Sequence, residues 1–417
     1  MNMFAADYLI KSIFPNGLQI LVQPRRYART TSWGIFVNHG VRDETKESNG
    51  ISHFMEHVIF NAQYRSQSEL ARLVQQGAIV EAFTTKEYTQ FSVTTVPAEN
   101  DAALQSLATL IRRPSFNTSL IETERGVIDQ EIKTFMSTRK SLDEWVERAL
   151  FGNRSLGLFT LGPRENLDTF NEANLQERYS TYYTPLRTVI ICQGAVEGTE
   201  VLEKVFDAFH DWAQKPTSIP PPRFEDVPQM IGIPTSSQQV SLYVAFRGPS
   251  LTNIDRLPFS LIADCLGLGV GSRLWNSLRE ERQLVYEIQA TPTTYGVAGY
   301  MTIRLSCERN KVREVIQVLL AEIAKLHQGL DDSELERART IRTTGLLHQH
   351  ENSRLMLPST GKFAVNGLTL FVDTEIQSLK LVTTDDTARV ARQYLNEDTL
   401  AIVAYGLSRE ELLNSVA

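Results

Sequence analysis

One short stretch carries the strongest chemical signal in this sequence. Gly50-Ile51-Ser52-His53-Phe54-Met55-Glu56-His57-Val58-Ile59-Phe60 has apolar residues near helical spacing, so Ile51, Phe54, Met55, Val58 and Ile59 would face a core. His53 and His57 are four apart, and a helix stacks both imidazoles on one face, a turn apart. Neutral imidazoles suit Zn²⁺, and two of them on one rigid turn pre-set the ligand angle. Glu56 lies beside His57 on nearly the same side. A carboxylate beside a metal, but not on it, takes a proton from metal-bound water. The spacing is H-x-x-E-H, an inverted zinc-site pattern. Its plain alternative is a surface helix that happens to carry two histidines.

The surrounding elements must position that helix. Asn49 stands where a side-chain oxygen would cap its start. Asn16-Gly17 reads as a turn into the strand Leu18 to Val22, and Thr31 to Val37 as a second strand. A helix is expected from Gln67 to Gln76 and two strands within Ala78 to Val96. Helices follow from Ala98 to Arg112, Ser119 to Ser137 and Asp143 to Phe151. In the long helix, Glu124 and Glu131 are seven apart and share a face. A strand from Thr188 to Gln193 and a helix from Thr199 to Trp212 close the first half.

Lys215 to Thr235 holds six prolines and reads as an interdomain linker. The expected division is therefore 1–214, a linker at 215–235, and 236–417. After the linker the plan repeats: a strand from Gln239 to Phe246, a helix from Leu257 to Leu266, long helices at Lys311 to His327 and Asp332 to His348, then a strand from Thr399 to Tyr405 and a helix from Ser408 to Ser415. That order implies an internal duplication. The second copy lacks the chemistry. Leu257 to Leu266 has no His or Glu, and setting Glu336-Arg337 against Glu124-Arg125 puts Thr343 where Glu131 stands. One metal per chain, in the first half, is the expectation.

Composition narrows the class. The chain has 417 residues, 42% hydrophobic and 22% charged, as in a soluble globular protein of more than one domain. A net charge of -7 disfavours nucleic acid as a partner. No apolar run reaches membrane-spanning length, and the N-terminus shows no signal peptide. Cys192, Cys265 and Cys307 are odd in number and far apart, so buried free thiols and a cytoplasmic location are expected.

At this point the residues resemble the M16 family of zinc peptidases (pitrilysin, insulin-degrading enzyme, mitochondrial processing peptidase), over nearly the whole chain and with the length of the smaller M16B-type subunits. His53, Glu56 and His57 match its first motif, and Glu131 in Glu-Arg-Gly-Val-Ile-Asp-Gln-Glu resembles its second. The resemblance implies an α+β fold of two homologous α/β-sandwich domains, mostly antiparallel sheet with helices packed on it. It implies one Zn²⁺ on His53, His57 and Glu131, Glu56 as general base, and Glu124 orienting a ligand. Val80-Glu81-Ala82-Phe83-Thr84 resembles the family's substrate-binding edge strand, which pairs with a peptide through backbone hydrogen bonds. The family's usual Asn is Glu81 here, and an ionised Glu can only accept.

The glycine-rich loop with Gly269 and Gly271 lacks a Gly-Lys-Ser/Thr ending, so phosphate binding is disfavoured, and the likeness makes it a substrate-chamber lining. Arg279 and Tyr286 resemble the family's Arg/Tyr pair, with Arg279 holding the substrate backbone and Tyr286 donating to the oxyanion. The implied function is peptide hydrolysis within a dimeric chamber that admits short or unfolded peptides. The dimer is a homodimer, or a heterodimer with another M16-like subunit. Two other readings stand beside it: a leader-peptide protease of a peptide natural product, paired with an inactive M16 partner, and a non-catalytic M16-like structural subunit.

Overall fold

The structure is a computed structural model that describes residues 8–64, 68–214 and 228–416. These residues pack as two units. Unit 1 draws on 8–134, 159–214 and 349–370, and unit 2 on 135–158, 228–348 and 371–416.

The sheet of unit 1 contains β1 (Ile10–Ile13), β2 (Gln19–Pro24), β3 (Thr31–Val37), β4 (Ile79–Thr84), β5 (Thr89–Thr95) and β6 (Thr188–Gly194), in the order β1-β2-β6-β3-β5-β4. β2 and β6 are parallel, and every other pair is antiparallel. β3 is buried along its whole length because helices cover both faces. Its alternating side chains explain how. Trp33 reaches the helix Asn100–Arg112 through a hydrogen bond to Asn100, while Phe36 packs with Leu357 on the opposite face. The metal-motif stretch is α1 (Ile51–Tyr64), and the helix with the two glutamates is α2 (Thr118–Met136).

Unit 2 repeats the plan. Its sheet holds β7 (Met230–Ile233), β8 (Gln239–Gly248), β9 (Val285–Thr294), β10 (Gly299–Glu308) and β11 (Leu400–Tyr405), in the order β7-β11-β8-β10-β9. This matches β2-β6-β3-β5-β4 in order and in sense, including the single parallel pair. The expected α+β duplication is present. Helices Arg256–Gly267 and Asp332–Glu351 take the places of α1 and α2. In unit 2 these two helices are joined by a paired ion contact, Arg342 to Asp264 at 2.7 and 2.8 Å.

Packing divides the chain differently from chain order in two places. The helix Leu142–Phe151 lies in the first half of the sequence, yet its apolar face (Leu142, Val146, Leu150) packs with Ala245, Tyr300 and Val403 of unit 2. Conversely α3 (Ser353–Val365) packs on β3 and β6 of unit 1, burying Leu357 and Ala364 against Phe36 and Ile191. Gly361 permits that approach, because a Cβ there would sit 2.0 Å from the Phe36 ring. Of the expected linker, 215–227 lies outside the described residues. Met230–Ile233 within it is a sheet strand, paired in parallel with β11.

Candidate metal centre

The start of α1 is built differently from the expectation. Asn49 does not cap it. Its amide instead donates to Glu44 Oε2 (2.9 Å) and to the Phe159 carbonyl (2.7 Å). The buried Glu44 carboxylate accepts the free N–H groups of Gly50 and Ser52, each at 2.8 Å. An anion at this end also complements the helix dipole. Gly50 has φ +100°, and a Cβ there would press on the Leu161 carbonyl at 2.6 Å, so glycine is required where the chain turns into the helix.

A buried hydrogen-bonded chain further fixes α1. Ser52 Oγ lies 3.1 Å from His39 Nε2, and His39 Nδ1 lies 3.2 Å from Asp43 Oδ2. His39 stacks on Tyr182 with ring centres 3.8 Å apart. Ser52 and His39 are fully buried, so this Ser–His–Asp series has no access for a substrate and serves the fold.

One turn along, α1 presents His53 and His57 with ring centres 4.6 Å apart. Across from them, α2 brings Glu131 Oε2 to 3.8 Å from His53 Nε2 and 3.5 Å from His57 Nε2. One ligand atom from each of the three falls within 4.8 Å of the others. A tetrahedral zinc with bonds of about 2.1 Å separates its ligand atoms by roughly 3.4 Å, so a small closure of these side chains would complete the set. Two imidazoles and one carboxylate are also the donor types zinc takes, leaving a fourth position open. The sequence-predicted ligands therefore converge. Glu131 is the most exposed of them, at 45% for its side chain, so the cluster opens toward solvent on that side.

The neighbouring groups tune these three. Burial, helped by the adjacent His57, pushes His53 down to about 3, leaving it neutral and fit to bind a cation. For His57 burial acts downward too, but the hydrogen bond that its Nδ1–H donates to Glu124 and the charges of Glu56, Glu131 and Glu124 outweigh it and raise the imidazole above its usual value. Glu124 is fully buried with its Oε2 3.3 Å from His57 Nδ1, and Asn61, one turn beyond His57, donates to the same oxygen at 2.9 Å. Glu56 is pushed up to about 7, chiefly by burial, with Glu131 and Glu124 adding repulsion. Thr84 of β4 faces it.

Glu81, Ala82 and Phe83 lie on β4, the outermost strand of the unit 1 sheet. Phe83 packs with the Phe36, Tyr88 and Leu357 cluster. The Glu81 carboxylate is gripped by Arg354 of α3 at 2.6 and 3.0 Å. In unit 2, Gly269 and Gly271 take positive φ (+74° and +83°), with open space around Gly269, and Arg337 pins the loop through the carbonyls of Leu268 and Val270. A cavity of about 460 Å³ lies beside this loop, lined in part by Tyr243, Trp275, Arg279 and Arg304. Arg279 is sandwiched, 4.0 Å from the Trp275 ring centre and 4.8 Å from that of Tyr286. Tyr286 is 72% exposed.

Sequence reasoning missed Glu44, Asn61, Trp275 and Arg354. Asn61 and Trp275 had a signal, since each stands four residues from a candidate on a helical segment. Glu44 and Arg354 had none, because their contacts depend on tertiary packing.

A duplicated sheet-and-helix chain with a His–His–Glu cluster on one copy is the build of a two-unit metallopeptidase. Comparison with known proteins agrees. Residues 19–164 match the model of Insulinase (Peptidase family M16), and residues 169–342 that of the Peptidase M16 inactive domain. The chain is 28% identical over 400 residues to the Uncharacterized zinc protease YmxG of Bacillus subtilis, covering 93% of this chain and 96% of that one. It is 25% identical to the Probable mitochondrial-processing peptidase subunit beta of Arabidopsis thaliana, over 94% of this chain and 77% of the relative. In fold it is similar to a protease from Helicobacter pylori, with a TM-score of 0.87 at 16% identity, covering 96% of this chain and all of that one. The chain belongs to the M16 family of peptidases.

Proposed function

We propose that the chain is a zinc-dependent endopeptidase for short or unfolded peptides. The observation that carries this reading is the convergence of His53, His57 and Glu131 around one point, with Glu56 beside it. His53, His57 and Glu131 would hold one zinc ion per chain. When bound there, the ion supplies Lewis acidity that eases deprotonation of water and polarises the scissile carbonyl. Glu56 accepts the proton of the attacking water and passes it to the leaving amine. Its elevated proton affinity suits both transfers. Glu124 holds the His57 ring through Nδ1 and fixes which nitrogen faces the ligand cluster.

The outer edge of β4 receives the peptide as an added strand, which reads main chain rather than side-chain sequence. Arg279 and Tyr286 keep the roles the resemblance implies, toward the substrate backbone and the oxyanion. The aromatic sandwich supports a fixed guanidinium. Gly269 and Gly271 line the substrate space.

A homodimer, or a heterodimer with another M16-like chain, encloses the reaction. Relatives named as subunits of a processing peptidase favour keeping the second arrangement, in which a leader-peptide protease pairs with an inactive partner. Among the described residues no helix is long and apolar enough to cross a membrane. The three cysteines are buried and free, which supports a cytoplasmic setting. The test is cleavage of an unstructured peptide library by the purified chain with and without a chelator, alongside its mass by light scattering. Chelator-sensitive cleavage supports the reading. A zinc-loaded chain that cleaves nothing, alone or with a second M16-like chain, supports the structural-subunit reading instead.

A further inference from the structure

Beside the metal cluster, the edge strand carries a charge arrangement that the hydrolytic chemistry does not use. Arg354 Nε donates to Glu81 Oε2 at 3.0 Å, and its Nη2 donates to Glu81 Oε1 at 2.6 Å. Both side chains are 40% exposed. An exposed pair of this kind contributes little to stability, about 0–1 kcal/mol, so folding gives weak reason for it. The geometry has a chemical consequence. Glu81 spends its carboxylate on Arg354, while a guanidinium has five N–H donors and this contact uses two. Nη1 and the second N–H of Nη2 remain available on a side chain that is held flat and partly in solvent.

The position matters as much as the charge. Along β4 successive side chains alternate between faces. Glu81 shares its face with Phe83, which packs toward α3, while Thr84 points to the other face, toward Glu56. A peptide added to the β4 edge carries its own alternation, so every second side chain passes on the Glu81 side.

We propose that Arg354, clamped by Glu81, is a specificity-determining residue that takes the carboxylate of an Asp or Glu side chain on a peptide laid along β4. This rests on the reading of β4 as the peptide-binding edge. Glu81 acts as the clamp: it pre-orients the guanidinium, and in the free protein it neutralises the site. Removing Arg354 exposes an unpaired carboxylate at the same place, which reverses the sign that the strand selects.

The experiment uses the zinc-loaded full chain and a peptide that it cleaves, remade with Asp, Asn or Lys at each of the positions flanking the cut. Wild type is expected to favour Asp over its isostere Asn by about tenfold or more in kcat/KM at one position, the scale of a charge-assisted hydrogen bond. Arg354→Ala is expected to lose that preference and to favour Lys at the same position. Glu81→Ala is expected to keep the preference for Asp. A wild type that cleaves the three peptides equally, or an Arg354→Ala profile identical to wild type, overturns the inference and leaves the peptidase reading intact. Equal loss of all three peptides in a folded, zinc-binding Arg354→Ala also overturns it, because the residue then does something other than read charge. Absence of cleavage by wild type on every peptide counts against the peptidase reading itself.

Discussion

His57 Nδ1 lies 3.3 Å from Glu124 Oε2, and Glu124 is fully buried on the neighbouring helix. The contact leaves Nε2 of the same ring facing Glu131 at 3.5 Å. One carboxylate thus meets the inner nitrogen of the ring while another faces its outer nitrogen. Glu124→Gln keeps the shape and removes the charge. Metal affinity is expected to fall about 10- to 100-fold in a competition titration, the usual cost of losing such a partner. Unchanged affinity in a folded variant would assign Glu124 to packing alone.

Glu56 reaches neither histidine's role nor Glu131's, yet it sits next to all of them. Glu56→Gln is expected to retain the metal and lose turnover by about 10²- to 10⁴-fold, the range for a general base. Elemental analysis and peptide cleavage on the same sample check both halves. Activity near wild type would remove Glu56 from proton transfer.

His39 gives a pH signature that is independent of the metal. Burial holds its proton affinity down at about 4 against an ordinary 6.5, with Arg178 and Arg187 adding to the effect and Asp43 opposing it. A depressed folded value means that the stability is fully present above 6.5 and is lost as the pH falls toward 4. Between pH 7.5 and 4.5 the loss is about 2 kcal/mol. Denaturant unfolding of the metal-free protein at both pH values is expected to show a loss about 2 kcal/mol larger in wild type than in His39→Gln, the loss that remains in the variant belonging to other buried groups such as His53. Equal losses in both would show that His39 titrates normally.

Gly361 tests the packing of α3 on unit 1. Its missing Cβ is what lets the Phe36 ring lie against the helix. Gly361→Ala is expected to destabilise by about 1–3 kcal/mol and lower Tm by several degrees. Gly126→Ala on α2, where an added Cβ meets nothing within 4 Å, is the control and is expected to be neutral or stabilising. Equal melting of the two variants would mean that α3 is not seated tightly on β3.

Much of this architecture was legible in the residues. Short runs rich in β-branched and aromatic residues read as β3 and β8, the i, i+4 histidines marked the working face of α1, and the seven-residue spacing on α2 placed Glu131 and Glu124 together. Other features were not legible for physical reasons. Leu142–Phe151 and Ser353–Val365 show amphipathic faces, but a face does not say which sheet it will cover. Asn49 was a good local cap, yet Glu44 offers two carboxylate oxygens to the N–H groups of Gly50 and Ser52, and it reaches them only through a loop. The proline-rich stretch masked β7, because Met230–Ile233 is short and reads as part of its surroundings.

The most direct test is the zinc content of the purified chain, with and without His57. Dialysed wild type is expected to hold one zinc per chain and to cleave peptide, and folded His57→Ala is expected to lose both. A folded His57→Ala that keeps a full equivalent of zinc, or cleavage that survives complete removal of metal from wild type, would contradict a catalytic ion held by His53, His57 and Glu131.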